Sequence, residues 1–224
     1  HGMVATSEPV LRSVQKYKRD VPSMILENGV EFEHFARGGP EPEDMRPIPK
    51  PRAVYAGAVD GRLDLEALKL LAERRTDLSL VIIGPYPAAA AQPFAACGNV
   101  HFLGQKPYAS LPAYLQHCDV ALLPLSEHKA NSGRSPMKLY EYAAAGLPVV
   151  VRETPELLRR REDFMAFYRH HEQFADAVGQ TLVRWKGRNG GKEQIRNAAR
   201  KQSWGMKAQQ IVDFGNQLIQ RANG

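Results

Sequence analysis

The sequence predicts an α/β protein, a doubly wound, Rossmann-like parallel sheet with helices on both faces. Two observations carry this. Apolar runs of strand length recur at residues 53–59, 78–84, 119–125 and 147–151 without polar alternation, as expected of strands buried on both faces. Between them lie segments with apolar residues at helical spacing, and strands alternating with helices build a parallel sheet covered by helices.

In chain order, residues 3–6 read as a short strand and 8–17 as a helix. A second apolar run at 23–26 is closed by the turn dipeptide Asn28-Gly29. Residues 37–51 hold Gly38, Gly39, Pro40, Pro42, Pro47, Pro49 and Pro51 and read as an interdomain linker or long surface loop. The rhythm then changes. A strand at 53–59 precedes a helix marked by Leu63, Leu65, Leu68, Leu70 and Leu71. A strand follows at 78–84, then a short one at 99–104. A helix at 111–117, a strand at 119–125, a helix at 136–145 and a strand at 147–151 complete the alternation. From Glu172 the chain is helical and amphipathic, broken at 187–191. No repeat of fixed period is present.

Composition bounds the function. With 224 residues the chain holds one full domain plus a fragment. Apolar residues at 43% and charged residues at 24% match a globular protein and exclude disordered and collagenous classes. The apolar runs are far shorter than the roughly 18 residues of a membrane span. Cys97 and Cys118 alone make neither a disulfide framework nor a four-ligand zinc site, and such sparse use fits a reducing cytoplasm. The charge of +6 favours anionic partners, whether nucleotides, acidic lipid surfaces or nucleic acid, without choosing among them. His1-Gly2 ahead of Met3 reads as a vector-derived dipeptide. A strand that belongs inside a sheet opens at the first native residue, so the expectation is a chain cut from a longer one.

In such sheets ligands sit at the carboxyl ends of the strands, near the switch in strand order. The loops 57–62, 84–87, 104–108 and 125–135 are therefore the candidates. The most informative segment is Ser132-Gly133-Arg134-Ser135-Pro136-Met137-Lys138-Leu139-Tyr140-Glu141-Tyr142. Ser135 suits an N-cap and Pro136 the first helical position, and the free N–H groups of a helix start suit phosphate. The helix dipole disfavours Lys138 in the first turn, and a bound diphosphate would account for it. Glu141, one turn on and on a similar face, suits the two hydroxyls of a ribose. The competing reading is a surface helix with a Lys–Glu pair worth only a few tenths of a kcal/mol, and the residues alone weigh the two evenly. Gly57 at a strand end admits close approach of a ligand to the backbone. Arg62 reaches a phosphate or is a solvated arginine in a tight turn.

Several signatures are missing. There is no G-x-G-x-x-G after the first strand of the main sheet, no G-x-x-x-x-G-K-[ST] and no G-x-S-x-G, which argues against dehydrogenases, P-loop enzymes and α/β-hydrolases. His34, His101, His117, His128, His170 and His171 lack metal-ligand spacing. His170 and His171 read as surface residues beside a helix start, and Asp119 as a structural or capping group. Tyr108, Tyr114, Tyr140 and Tyr142 read as packing residues, and a nucleic-acid role rests on net charge alone.

The order of motifs resembles the C-terminal, donor-binding half of bacterial GT-B glycosyltransferases of the group 1, polysaccharide-biosynthesis type. The matching pieces are Asn28-Gly29-Val30-Glu31 with Phe35, Tyr55-Ala56-Gly57, Val81-Ile82-Ile83-Gly84-Pro85 and Asn99-Val100-His101-Phe102-Leu103-Gly104. They continue with Leu111-Pro112-Ala113-Tyr114-Leu115, Asp119-Val120-Ala121-Leu122-Leu123-Pro124, the segment Ser135 to Tyr142, and Ala145-Gly146-Leu147-Pro148-Val149-Val150. Ser203-Trp204 before a terminal helix is the last. The resemblance spans roughly residues 4–220, and the helix segment followed by Ala-Gly-Leu-Pro-Val-Val is its most specific part. It implies that residues 1–36 are a remnant of an N-terminal domain and the interdomain connection, 37–51 the linker, and 52–224 a nucleotide-sugar-binding domain with C-terminal helices.

The resemblance further implies a glycosyltransferase (hexosyl or uronosyl) that passes a sugar from UDP, or less often GDP, to a polysaccharide or lipid-linked acceptor. Ser135, Pro136, Met137 and Lys138 would hold the diphosphate, Glu141 the ribose, and Gly57 would pass near the phosphates with Arg62 as helper. The Gly104-Gln105 loop would face the base. Lys138 would stabilise the leaving group without a metal ion or other cofactor. The isolated chain would be inactive, working in the cytoplasm or on the inner face of the cell membrane, with an anionic membrane surface as a partner and no nucleic acid. One departure stands out. Many retaining members carry two glutamates separated by seven residues, and the first falls here on Gly133. The alternatives are a non-catalytic nucleotide-sugar-binding module and a sugar-nucleotide epimerase of the same fold.

Overall fold

The computed structural model describes residues 1–17, 20–188 and 190–223. A small N-terminal unit pairs β1 (Met3–Ala5) with β2 (Ser23–Ile25) in parallel, with α1 (Glu8–Gln15) between them. The chain continues through α2 (Phe32–Ala36), β3 (Arg52–Ala56), α3 (Leu65–Arg74), β4 (Ser79–Ile83), α4 (Ala88–Ala91), β5 (Val100–Gly104) and α5 (Leu111–Gln116). It then forms β6 (Val120–Leu123), α6 (Lys138–Ala144), β7 (Val149–Arg152), α7 (Pro155–Arg159) and β8 (Met165–Tyr168). Three helices follow, α8 (His171–Trp185), α9 (Gly191–Arg200) and α10 (Trp204–Asn223). The main sheet has the order β5-β4-β3-β6-β7-β8, all parallel. The expected doubly wound sheet is present, and the switch in strand order lies between β3 and β6.

The unbroken apolar runs follow from burial on both faces. Val54, Val81, Ile83, Ala121, Leu123, Val149 and Val151 pack with Leu139, Tyr142 and Ile195 on one face. Ala53, Leu80, Ile82, Val120, Leu122 and Val150 pack with Leu68, Leu71, Phe174 and Val178 on the other. Each buried Val, Leu, Ile or Phe side chain among them contributes about 1.5–3 kcal/mol. α3 starts where Asp64 accepts from the Ala67 amide at 3.0 Å, an N-cap that satisfies one of the free donors. Asp119 has the structural role expected of it: its carboxylate accepts from the Arg52 amide at 2.7 Å and ties the starts of β3 and β6.

Some elements differ from expectation. α2, α4, α7 and β8 are not among the elements that the sequence predicts. The run 164–168 behind β8 is short and follows the charged stretch 159–163, which masks an edge strand. The helix expected at 136–145 is shorter, because Ser135 is not its cap. Met137 precedes α6 with helical dihedrals and no side-chain cap, while the Ser135 hydroxyl accepts from the Asn28 amide at 3.0 Å. His170 does stand at a helix start: its amide donates to the Gln173 side-chain oxygen at 3.2 Å and its carbonyl accepts from the Gln173 amide at 3.0 Å, which fastens the first turn of α8. His171 is more engaged than a surface residue, 2.8 Å from Asp64 Oδ2. Within the expected break at 187–191, residue 189 lies outside the described residues.

Residues 37–51 contain no helix or strand, yet Met45 and Ile48 are fully buried. Arg52 holds them there. Its guanidinium donates to Met45 O at 2.8 Å, to Ile48 O at 2.6 Å and to His117 O at 3.2 Å, and pairs with Glu41. Arg52→Met leaves the Ile48 and His117 carbonyls without donors, while Met45 O keeps the Ile48 amide at 3.0 Å, and each unmet buried group costs about 1–3 kcal/mol. The expected loss, read from urea unfolding, is about 2–4 kcal/mol; an unchanged midpoint would show that the segment holds itself.

The small N-terminal unit is fastened by charge. Arg159 pairs with Glu27 at 2.5 Å, Lys207 of α10 reaches Glu27 at 3.4 Å, and Arg160 donates to Thr6 O at 3.3 Å and pairs with Glu156 at 2.6 Å. Burial opposes ionisation of Glu27, but the Arg159 hydrogen bond and the charges of Arg160 and Lys207 hold its pKa below the ordinary value.

Candidate functional site

Because β3 and β6 diverge at their carboxyl ends, the backbone of Ala56 lacks a full set of ladder partners. Tyr142 of α6 replaces them: its buried hydroxyl accepts from the Ala56 amide at 2.8 Å and donates to the Ala56 carbonyl at 3.3 Å. This bond sets α6 against the end of β3. Gly57 comes next, its amide on Ile83 O at 2.7 Å.

Lys138 lies over Gly57. A Cβ at Gly57 would collide with Lys138 Cε, stand 2.8 Å from its Nζ and 3.0 Å from the Tyr55 hydroxyl. Glycine here leaves room for the ammonium, as the strand-end position led us to expect. Gly84 forms a second layer. Its φ is +136°, and a Cβ there would overlap the Gly57 carbonyl.

The Lys138 ammonium makes no hydrogen bond or ion pair among the described residues. Burial lowers its pKa, Glu141 opposes that shift, and the charges of Arg134 and Arg62 add to it. Three cations therefore converge at the end of β3. Arg62 is paired with Asp60 through contacts that include Nε to Oδ1 at 2.9 Å, and this bond pulls the Asp60 pKa down to about 2. The amides of Met137 and Lys138 donate no hydrogen bond among the described residues. Free backbone donors and side-chain cations thus gather around Lys138 at the end of β3, an arrangement suited to a polyanion.

Glu141 stands beside Lys138 on α6. Burial raises its pKa, Lys138 opposes this, and Glu31 adds to it. Glu31 accepts from the Tyr108 hydroxyl at 3.1 Å, and the Tyr108 ring stacks on His34 with centroids 4.4 Å apart. Tyr108 is thus more than a packing residue, since it holds Glu31, one of the charges that act on the Glu141 carboxylate. A carboxylate with a raised pKa destabilises the fold where it is ionised. That penalty is present above its folded pKa and disappears as pH falls below the ordinary value near 4.5. Glu141→Gln should therefore stabilise the chain at neutral pH, by about 0.5–2 kcal/mol, with the gain vanishing in acid. The same change should weaken nucleotide binding. Thermal melts at pH 4 and 7 test this, and a destabilised variant would contradict it.

The structure brings Gly57, Arg62, Met137, Lys138 and Glu141 to one edge of the sheet. It commits Ser135 elsewhere: its hydroxyl and carbonyl both bond Asn28, the latter at 2.8 Å. Pro136 is buried and Met137 exposed. Gln105 is exposed beyond β5, two strands from β3. Sequence reasoning missed three contributors. Arg134 adds charge, and its place directly before Ser135-Pro136 was the available signal. Asn131, buried, donates to Arg62 O and Ser126 O, both at 2.9 Å, and locks the loop after β3 to the loop after β6. Tyr142 had no signal beyond its apolar spacing. Gly133, where the resemblance calls for a glutamate, is packed by the N-terminal unit: a Cβ there would lie 3.1 Å from Pro9 Cβ. Among the described residues, no group of three His, Cys, Asp or Glu side chains is placed to hold a metal ion, and no helix is long and apolar enough to cross a membrane.

Comparison with known proteins agrees with this fold. A solved glycosyltransferase from Rickettsia africae ESF-5 superposes with a TM-score of 0.73 at 14% identity, covering 97% of this chain and 63% of that one. Anabaena Alr3699/HepE, solved with UDP and glucose, gives 0.68 at 14% identity over 96% and 62%. These likenesses show the α/β architecture of the GT-B glycosyltransferases. In sequence, the chain is 28% identical over 202 residues to a Bacillus subtilis (strain 168) protein, TuaH, provisionally named a teichuronic acid biosynthesis glycosyltransferase. The match covers 84% of this chain and 49% of TuaH, so the chain spans about half the length of that relative. Residues 51–183, more than half of the chain, match the family model for group 1 glycosyl transferases, and the chain belongs to that family.

Proposed function

We propose that this chain is the donor-binding part of a glycosyltransferase and that it binds a nucleoside-diphosphate sugar, a UDP-sugar before a GDP-sugar. The observation that carries the reading is the unpaired, desolvated ammonium of Lys138 over Gly57, with Arg62 and Arg134 beside it. Such a cation gains most from a ligand bearing two adjacent negative charges. The diphosphate would lie on Lys138 and on the amides of Met137 and Lys138, with Arg62 exchanging part of its bond to Asp60. Ser135 and Pro136 shape this turn from behind. Glu141 would accept from the ribose hydroxyls, and the loop through Gln105 would border the base. The UDP and UDP-glucose complexes of the Anabaena neighbour support UDP.

In transfer, the bond from the sugar to the diphosphate breaks and negative charge grows on the leaving oxygen. Lys138 and the two amides would stabilise that charge, preorganised before the substrate arrives. The sugar would pass to a saccharide or lipid-linked acceptor. Calorimetric titration with UDP, GDP, ADP and UDP-glucose tests the reading. UDP should bind most tightly, and failure of every nucleotide to bind would overturn it. Gly133, in place of a donor-sugar carboxylate, favours a second reading as a binding module or a sugar-nucleotide epimerase. Release of UDP against appearance of an epimerised UDP-sugar separates these outcomes in the whole protein.

A further inference from the structure

A cavity of about 960 Å³ opens at the other pole of the sheet, against Pro51, Asp119 and Pro148 at the amino ends of β3, β6 and β7. It lies away from Lys138 and Glu141 and has no part in the function proposed above. Its size falls in the range of small-molecule sites, about 300–1,000 Å³. The apolar part of the lining comes from Leu147, Leu182, Ile195 and Trp185.

The rim is cationic. Lys50, Arg75, Lys186, Arg188, Lys192 and Arg196 line it, against Asp119 and Glu193. That surplus of four compares with a surplus of six for the whole chain. Asp119 is already engaged by the Arg52 amide, and Arg75 by Asp77 through two bonds of 2.8 Å. The other five cations form no ion pair among the described residues. Arg196 Nε is buried without a hydrogen-bond partner among them, and a buried donor left unmet calls for a partner. The Arg188 guanidinium lies over the Trp185 ring, 4.9 Å from its centroid, which puts a cation directly against the apolar lining.

We propose that this cavity is a second binding site, for an amphiphilic organic anion: an alkyl body on the Leu147–Leu182–Trp185 floor and a phosphate head among Arg196, Lys192 and Arg188. The concave shape and enclosed floor favour a single amphiphile over the flat face of a bilayer. The mixed lining favours it over a free inorganic anion, which would leave the floor wet.

Octyl phosphate, titrated below its micelle concentration, is the probe, with octyl glucoside, inorganic phosphate and phosphatidylglycerol vesicles as comparison arms. The expected result is saturable one-to-one binding of octyl phosphate, with octyl glucoside and inorganic phosphate weaker by about tenfold or more. The exposed triple variant Lys186→Gln/Arg188→Gln/Lys192→Gln, and Leu182→Trp, which fills the floor, should each weaken octyl phosphate by about tenfold or more. Melting temperatures report whether both variants remain folded. The proposal is overturned if octyl phosphate does not bind, or binds no better than octyl glucoside. It is equally overturned if both folded variants bind octyl phosphate as the parent does, or if vesicles bind and free octyl phosphate does not.

Discussion

Lys138→Ala is expected to weaken UDP binding by about 10- to 150-fold, the loss of one charge-assisted contact worth about 1.5–3 kcal/mol. The same change should leave the unliganded fold as stable as before, or slightly more so. Both halves follow from one fact. Lys138 has no partner among the described residues, and burial holds its pKa below that of a free lysine. Removing it relieves a desolvated charge from the empty protein and removes the principal cation from the complex. Lys138→Met keeps most of the apolar stem over Gly57 and should lose affinity to the same degree. Calorimetry and thermal melts on both variants check the pair of results. A variant that lost stability instead of affinity would make Lys138 a structural residue.

Gly84→Ala is expected to cost about 2–6 kcal/mol of stability, summing a strained backbone and an overlap in a packed layer. Its φ of +136° belongs to a region that side chains rarely adopt, and the added methyl would overlap the Gly57 carbonyl. The Gly84 amide donates to Gly104 O at 2.8 Å, while Gly57 donates to Ile83 O. The ends of β3, β4 and β5 are therefore stacked through glycines, and displacing one moves the floor under Lys138. Urea unfolding should show the loss, and UDP affinity should fall with it wherever the variant still folds. A variant with parental stability would mean that the layer has slack.

Much of this was legible in the sequence. The strands β3, β4, β6 and β7 declare themselves because burial on both faces demands apolar residues without interruption. The placement of Gly57 and Lys138 at one edge followed from strand ends and from the order of motifs. What escaped has physical causes. β8 is a short edge strand behind a charged run, and α2 is only five residues long. Ser135 had the chemistry of an N-cap, yet the Asn28 amide, more than a hundred residues earlier, took its hydroxyl. No local rule ranks such a tertiary bond. The anchoring of residues 37–51 by Arg52 depends likewise on carbonyls brought together only by the fold. Tyr142 looked like core, and its hydroxyl matters only because β3 and β6 part at Ala56.

The most direct measurement of the central claim is a crystal structure of the chain with UDP. The account predicts the diphosphate above Gly57, within hydrogen-bond distance of Lys138 Nζ and the Lys138 amide, with Glu141 on the ribose hydroxyls. A nucleotide bound elsewhere, or a Lys138 side chain turned to solvent beside a bound UDP, would contradict it.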